Sequence, residues 1–148
     1  MAGKILTKEE LNQLSRQIAG IEEKTTAELR VVVRHRRHWT ERKLTSRQIA
    51  EREFRTLGMA KTKEGTGILV FILVGERLFE LLADHGIIKV LPEEFWENLA
   101  GKLSEHFSKK NFFHGLTTSL AEIGEVLETR LPATGPNTDE FPNEIIEE

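Results

Sequence analysis

The sequence contains no cysteine. This absence excludes disulfide frameworks, thiolate metal sites and cysteine nucleophiles together. Long hydrophobic runs are also missing, since the longest, from Ile68 to Val74, covers seven residues, whereas a membrane-spanning helix needs roughly 20. The first residues, Met1–Leu6, are followed directly by polar side chains, so they do not resemble a signal peptide. We therefore expect a soluble, cytoplasmic protein with no membrane span.

Aspartate is scarce, because the chain holds 22 glutamates but only Asp84 and Asp139. The net charge of −3 hides an asymmetry: residues 1–63 carry a net charge of +7 and residues 64–148 carry −10. A chain polarised in this way is suited to contacts with charged partners. Its 148 residues, 39% of them hydrophobic, are enough for one globular domain with a single core.

Apolar residues at spacings of three and four predict four helices. Thr7 and Glu10 form a capping box before the first helix, and Ser46 is expected to cap the second. Gly58 follows the second helix, at a position that favours a left-handed C-cap. Pro92 is expected at the first position of the third helix. The apolar stripes of the four helices are Leu11–Ile21, Ile49–Leu57, Phe95–Phe107 and Leu116–Leu127.

Runs of branched and aromatic residues predict the strands. Leu29–Val33 is rich in valine and forms the first strand. Ile68–Val74 does not alternate, so both of its faces should be covered, and Leu78–Ala83 is expected to pair with it as an antiparallel hairpin. Ile87–Leu91 is expected to add one more short strand. The order α-β-α-β-β-(β)-α-α predicts an α/β fold, a three-layer sandwich whose small mixed central sheet is flanked by helices on both faces.

The chain is expected to form one domain over residues 1–131. Residues 132–148 are expected to be an irregular acidic tail, because Pro132, Pro136 and Pro142 fall within it. The Glu-rich end of this tail is expected to form a short helical turn.

Several stretches, taken in order, resemble the TPM domain family over about residues 7–147. The matching stretches are Glu23–Val31, Leu57–Met59 with Thr62, Gly67–Phe71, Arg77, Ala83–Ile87, Trp96, Phe107, Phe113–Leu116 and Asp139–Ile145. The resemblance implies an α/β sandwich with a small central sheet. Some members are acid phosphatases, others bind calcium or other divalent ions, and others act at membranes. In the shorter, soluble members of this family, the second helix usually has an acidic residue with alanines near its start. This chain has Arg47–Glu51 at that place.

The predicted sheet brings acidic side chains to one edge. If the first two strands are parallel, the end of the third strand returns to the edge where they begin, so Asp84 should approach Glu64 and Glu28. Hard oxygen ligands of this kind suit calcium or magnesium. The alternative is that Asp84 only shapes an Asp-x-Gly turn by binding the backbone. Both interpretations stay open from the sequence.

A basic segment, residues 34–43, should lie at the opposite edge. Its arginines and its aromatic residue are candidates for binding a protein or another acidic partner: Arg34, Arg36, Arg37 and Trp39. Nucleic acid is a poorer candidate, because the chain is acidic overall and the segment holds a single aromatic residue. A plain solvated loop is the remaining interpretation.

No nucleophile–base pair or tight metal cluster can be recognised in the sequence. The function expected first is therefore that of an accessory or interaction domain that binds a divalent cation weakly. One alternative is a metal-dependent acid phosphatase, which the family resemblance alone implies. The other is an acidic-partner binder that uses residues 34–43.

Overall fold

The computed structural model describes residues 5–133 and 145–147. Its α-helices are α1 (Lys8–Glu22), α2 (Ser46–Thr56), α3 (His85–Ile88), α4 (Glu93–Ser108) and α5 (Phe112–Arg130). Its strands are β1 (Glu28–Arg34), β2 (Gly67–Leu73), β3 (Leu78–Ala83) and β4 (Ile146–Glu147). Single 3₁₀ turns cover Trp39–Glu41, Met59–Lys61 and Val74–Glu76.

One mixed sheet has the strand order β3-β2-β1-β4. β1 and β2 are parallel, with registers running from Glu28 opposite Gly67 to Arg34 opposite Leu73. β3 is antiparallel to β2, so the predicted hairpin is confirmed. Every residue of β2 is buried, as its continuous apolar run predicts for a strand covered on both faces.

Helices cover both faces of the sheet. Alternate residues of β1, beginning with Leu29, pack in the larger core beneath α1, α4 and α5. Val32 packs on the other face with Ile49 and Ala50 of α2. This division follows from the two-residue period of a strand, and it confirms the three-layer α/β sandwich.

Caps fix where α1 and α2 begin. The Thr7 hydroxyl accepts from the Glu10 N–H at 3.0 Å, and the Glu10 carboxylate accepts from the Thr7 N–H at 2.8 Å, which confirms the capping box. α2 is capped by Thr45, which accepts from the Gln48 N–H at 3.1 Å. The prediction that Ser46 caps α2 is wrong by one position. The Ser46 hydroxyl instead donates to Glu80 of β3 at 2.6 Å. Gly58 has a φ of 77°, the left-handed conformation predicted for it.

The strand predicted at Ile87–Leu91 is wrong. His85–Ile88 forms the short helix α3, and Ile87 and Leu91 are buried beneath it. A short apolar run fits a strand and a buried helical turn equally well, and here the cap at Asp84 starts a helix. Pro92 is the N-cap of α4, one residue before its predicted position.

Part of the segment expected to be irregular joins the sheet. Ile146 lies opposite Val32 and Glu147 opposite Val33, so β4 runs parallel to β1 where a helical turn was expected. Thr25 and Pro132 also form an antiparallel bridge. Asp139, Pro136 and Pro142 lie outside the described residues.

Candidate functional site

Asp84 is placed by the end of β3 and the start of α3. Its side chain caps α3, since Oδ1 accepts from the His85 N–H at 2.8 Å. The same oxygen lies 3.1 Å from Nδ1 of the His85 ring. The Asp84 N–H donates to the Gly67 carbonyl at 3.0 Å, which ties this corner to the beginning of β2.

Glu64 lies on the loop that packs against α3. The Gly86 N–H donates to the Gly65 carbonyl at 2.8 Å. A Cβ at Gly86 would overlap the backbone carbonyl oxygen of Glu64, so glycine is required for this approach. The loop carrying Glu64, whose side chain is exposed, is thus packed against the helix that Asp84 caps.

Glu28 does not join Asp84 in a solvent-facing site, because its side chain is buried beside Glu22. The Glu22 carboxylate accepts from the Leu29 N–H at 2.8 Å, and the Arg30 guanidinium donates to the Leu29 carbonyl at 2.5 Å. Burial raises the pKa of Glu22 to about 8, opposed by the Leu29 hydrogen bond and reinforced by the neighbouring Glu28. The Glu28 carboxylate is therefore paired with Glu22 in the interior.

The sequence held a signal for this buried pair. Leu14, Ile18 and Glu22 recur at intervals of four and are all buried on α1. A glutamate at the end of an apolar stripe marks a carboxylate that must find polar partners inside the fold.

Asp84 instead faces α2 across a groove of about 330 Å³. Its lining includes four charged side chains: Asp84, Glu51, Arg47 and Arg55. Glu51 was not among the predicted site residues, although Arg47, Glu51 and Arg55 recur every four residues and therefore share one face of α2. Within residues 5–133 and 145–147, no three His, Asp or Glu side chains lie together as a ready-made metal cluster.

Arg34, predicted to bind a partner, is buried at the end of β1. Its Nη1 donates to Glu41 Oε1 at 2.6 Å and its Nη2 to Glu53 Oε1 at 2.9 Å. The guanidinium also lies 5.6 Å from the centre of the Phe71 ring. Arg34 holds the pKa of Glu41 down at about 2. This arginine belongs to the interior and is not accessible to a partner.

The rest of the basic segment is divided between internal and exposed groups. Arg37 forms a two-pronged pair with Glu76, Nε to Oε2 at 2.7 Å and Nη2 to Oε1 at 2.7 Å. Arg36 is exposed. Trp39 is 75% exposed, and the Arg42 guanidinium lies 3.9 Å from the centre of its ring. The accessible part of the basic segment therefore includes Arg36, Trp39, Arg42 and Lys43.

A second groove, of about 530 Å³, runs between β3 and α4. Apolar and aromatic side chains form much of its lining: Phe79, Leu81, Ala83, Ile88, Leu91, Trp96 and Ala100. Trp96 of α4 is half-buried and lies in this lining. No helix in the described part of the chain is long and apolar enough to cross a membrane.

Solved structures share this fold. The BA42 protein from the psychrophilic bacterium Bizionia argentinensis superposes with a TM-score of 0.87 at 26% identity, covering 100% of this chain and 99% of that one. The N-terminal domain of a P. gingivalis protein gives 0.73 at 17% identity, covering 86% and 79%. The N-terminal domain of the cg2496 protein from Corynebacterium glutamicum gives 0.59 at 8% identity, covering 97% and 81%.

Comparison of the sequence with curated proteins and with family models gives two results. No curated protein matches this chain. The family model described as the TPM domain matches residues 2–126, which is most of the sequence. The chain therefore belongs to the TPM domain family.

Proposed function

We propose that this chain is a ligand-binding domain that takes a divalent cation together with an oxyanion in the groove beside Asp84. The observation that carries the proposal is the placement of two carboxylates, Asp84 and Glu51, and two guanidinium groups, Arg47 and Arg55, around one space of about 330 Å³. A groove with both signs of charge is complementary to a ligand that also carries both.

The chemistry of the four side chains supports such a ligand. Calcium and magnesium prefer carboxylate oxygens and complete their coordination with water or with oxygens of the ligand. Arginine binds phosphate or carboxylate groups through paired hydrogen bonds. Because Asp84 Oδ1 already accepts from the His85 N–H, its Oδ2 is the oxygen that a cation would take. Two carboxylates give weak binding, as expected from the sequence.

Glu64 is retained in the proposed site as a contributor from the adjoining loop. The Gly86–Gly65 hydrogen bond holds that loop against α3, and the Glu64 side chain is exposed. Glu28 is left out, because its carboxylate is buried beside Glu22.

The alternative function is hydrolysis of a phosphate ester in the same groove. It is favoured by the 3.1 Å contact between Asp84 Oδ1 and His85 Nδ1. A carboxylate in this position orients an imidazole, and an oriented imidazole ring can transfer a proton to a leaving oxygen. The His85 ring is exposed, which leaves it accessible to a substrate.

Titration with calcium chloride or magnesium chloride, followed by amide NMR shifts, tests the proposal. We expect saturable shifts confined to residues 47–55, 64–65 and 82–86. Asp84→Asn should abolish them while retaining the helix cap, since asparagine caps helices as well as aspartate. Glu51→Gln should weaken binding by about tenfold, and the distant, exposed Glu23→Gln is the matched control.

Uniform small shifts, or binding that survives in Asp84→Asn, would contradict the cation site. Hydrolysis of p-nitrophenyl phosphate separates the two functions. If both Asp84→Asn and His85→Gln lose turnover, the result supports the phosphatase. If all variants hydrolyse the substrate at the same rate, the activity comes from a contaminant.

A further inference from the structure

β3 is an edge strand with unpaired backbone groups. It pairs with β2 on one side, and no described residue pairs with it on the other. In an antiparallel pair, alternate residues direct their backbone groups to the same side. The Asp84 N–H points towards β2, because it donates to the Gly67 carbonyl. Phe79, Leu81 and Ala83 must then direct their N–H and C=O groups outward.

A side chain contact shows this outward direction independently. The Arg47 guanidinium, on α2, donates to the Leu81 carbonyl at 2.8 Å. The Leu81 carbonyl is therefore accessible from outside the sheet. Arg47 is an exposed side chain that can move without unfolding α2.

The same three residues line the groove between β3 and α4. Phe79, Leu81 and Ala83 pack towards the larger core and form one wall of the groove of about 530 Å³. Ile88, at the opposite wall, is 62% exposed. A strand laid beside β3 would therefore find both backbone partners and apolar contacts for every second side chain.

Charge at the groove favours a basic occupant. The lining carries three glutamates, Glu80, Glu93 and Glu97, against one arginine, Arg47. A second copy of this chain paired edge to edge would bring two such acidic rims together, which costs free energy. Lysine or arginine side chains beside the apolar ones would instead be complementary.

We propose that the β3 edge binds an extended segment of another protein, which adds to the sheet as a strand. Its apolar side chains enter the groove at every second position, and a lysine or arginine on the same face flanks them at each end, next to the glutamates of the lining. The backbone groups of Phe79, Leu81 and Ala83 pair with the segment, and Arg47 releases the Leu81 carbonyl. This inference shares Arg47 with the proposed cation and oxyanion site, but it does not require a cation to bind there.

A capped seven-residue peptide with valine at positions 3 and 5, lysine at positions 1 and 7 and threonine between them is the probe, because its odd-numbered side chains share one face. We expect saturable NMR shifts along β3 and slower hydrogen exchange of the Phe79, Leu81 and Ala83 amides. Two control peptides test the two features separately. Proline at a central position removes a backbone donor, and glutamate in place of lysine reverses the charge; each should weaken binding by at least tenfold.

Variants of the full chain complete the test. Ile88→Lys, at an exposed position, and Glu97→Lys, at the acidic rim, should each weaken binding of the peptide by at least fivefold. Glu94→Lys makes the same charge change on α4 outside the groove lining and should leave binding nearly unchanged. Asp84→Asn should also leave it unchanged, which separates this site from the cation site.

Three results would overturn the inference. One is the absence of saturation at millimolar peptide. Another is equal binding of the proline-containing control, which would mean that no strand is added. The third is concentration-dependent self-association that is lost in Ile88→Lys, which would make a second copy of the chain the occupant.

Discussion

At the scale of single residues, the surroundings of the buried Glu22 carboxylate change its pKa strongly. It has no solvent exposure, and it lies beside Glu28. Two carboxylates in one buried place cannot both ionise without a large free-energy cost. The pKa of Glu22 is therefore raised from its ordinary value of 4.5 to about 8.

This raised pKa predicts that stability falls with increasing pH. Between about 4.5 and 8 the folded protein holds a proton that the unfolded chain has released, so the free energy of unfolding decreases through this window. One proton gives a slope of at most about 1.4 kcal/mol per pH unit. Glu22→Gln, which keeps an oxygen for the Leu29 N–H, should remove this slope. Urea unfolding at pH 5, 6.5 and 8 measures it.

The adjacent Glu23 provides the control, because it is exposed. Glu23→Gln should retain the slope of the native protein. An unchanged slope in Glu22→Gln would show that Glu22 ionises normally in the folded state.

At the scale of elements, Arg34 joins β1 to the helix that covers it. It bonds Glu41 of the connecting segment and Glu53 of α2, at 2.6 and 2.9 Å. Its side chain is only 2% exposed, so solvent does little to weaken these pairs. Removal of the cation would leave carboxylates in the interior without compensation.

Arg34→Met is accordingly expected to lower the free energy of unfolding by about 3–5 kcal/mol. The substitution preserves an unbranched side chain and deletes both ion pairs. Arg36→Met, at an exposed position two residues away, should change stability by less than about 0.5 kcal/mol. Chemical denaturation of both variants at pH 7 makes the comparison, and equal stabilities would refute the anchoring role.

The elements themselves could be predicted largely from the sequence. Valines in β1 and the continuous apolar run of β2 identify buried strands, and capping residues define the helix starts to within one residue. Ile87–Leu91 was predicted wrongly as a strand, since a short apolar run suits either a strand or a helical turn. The capping of α3 by Asp84 decides the outcome, and that contact depends on tertiary structure.

The candidate site was less predictable than the elements for the same reason. Asp84 was identified because it ends a strand next to a glycine-containing turn. Its nearness to Glu51 depends on how α2 packs across the sheet, and the burial of Glu28 depends on where α1 ends. Similarly, Arg34 was predicted to bind a partner because it belongs to a run of basic residues. The sequence does not show that Glu41 and Glu53 surround it in the fold.

At the scale of the whole molecule, ion pairs occupy part of the basic segment of residues 34–43. Arg34 and Arg37 of the basic half are paired with glutamates. Exposed positive charge near Trp39 comes from residues such as Arg36 and Arg42. The proposed acidic-partner surface is therefore narrower than residues 34–43.

Heparin chromatography tests this narrower surface. We expect retention at low ionic strength that is lost with added salt, because exposed charges are screened. Arg36→Ala or Arg42→Ala should lower the salt needed for elution. Arg16→Ala, on the exposed face of α1, changes net charge equally and should have a smaller effect. A native protein that is not retained would rule this surface out.

The two edges of the sheet differ in how readily another strand can pair with them. Near the start of β1, the outward N–H and C=O of Leu29 are already taken by Glu22 and Arg30, and β4 lies beside Val32 and Val33. Polymerisation of sheets into fibres needs two open edges on every copy. In the described part of the chain the opposite edge is β4, which is only two residues long, so a strand that joins β3 leaves no edge of comparable length, and we expect assembly through this fold to stop after one addition.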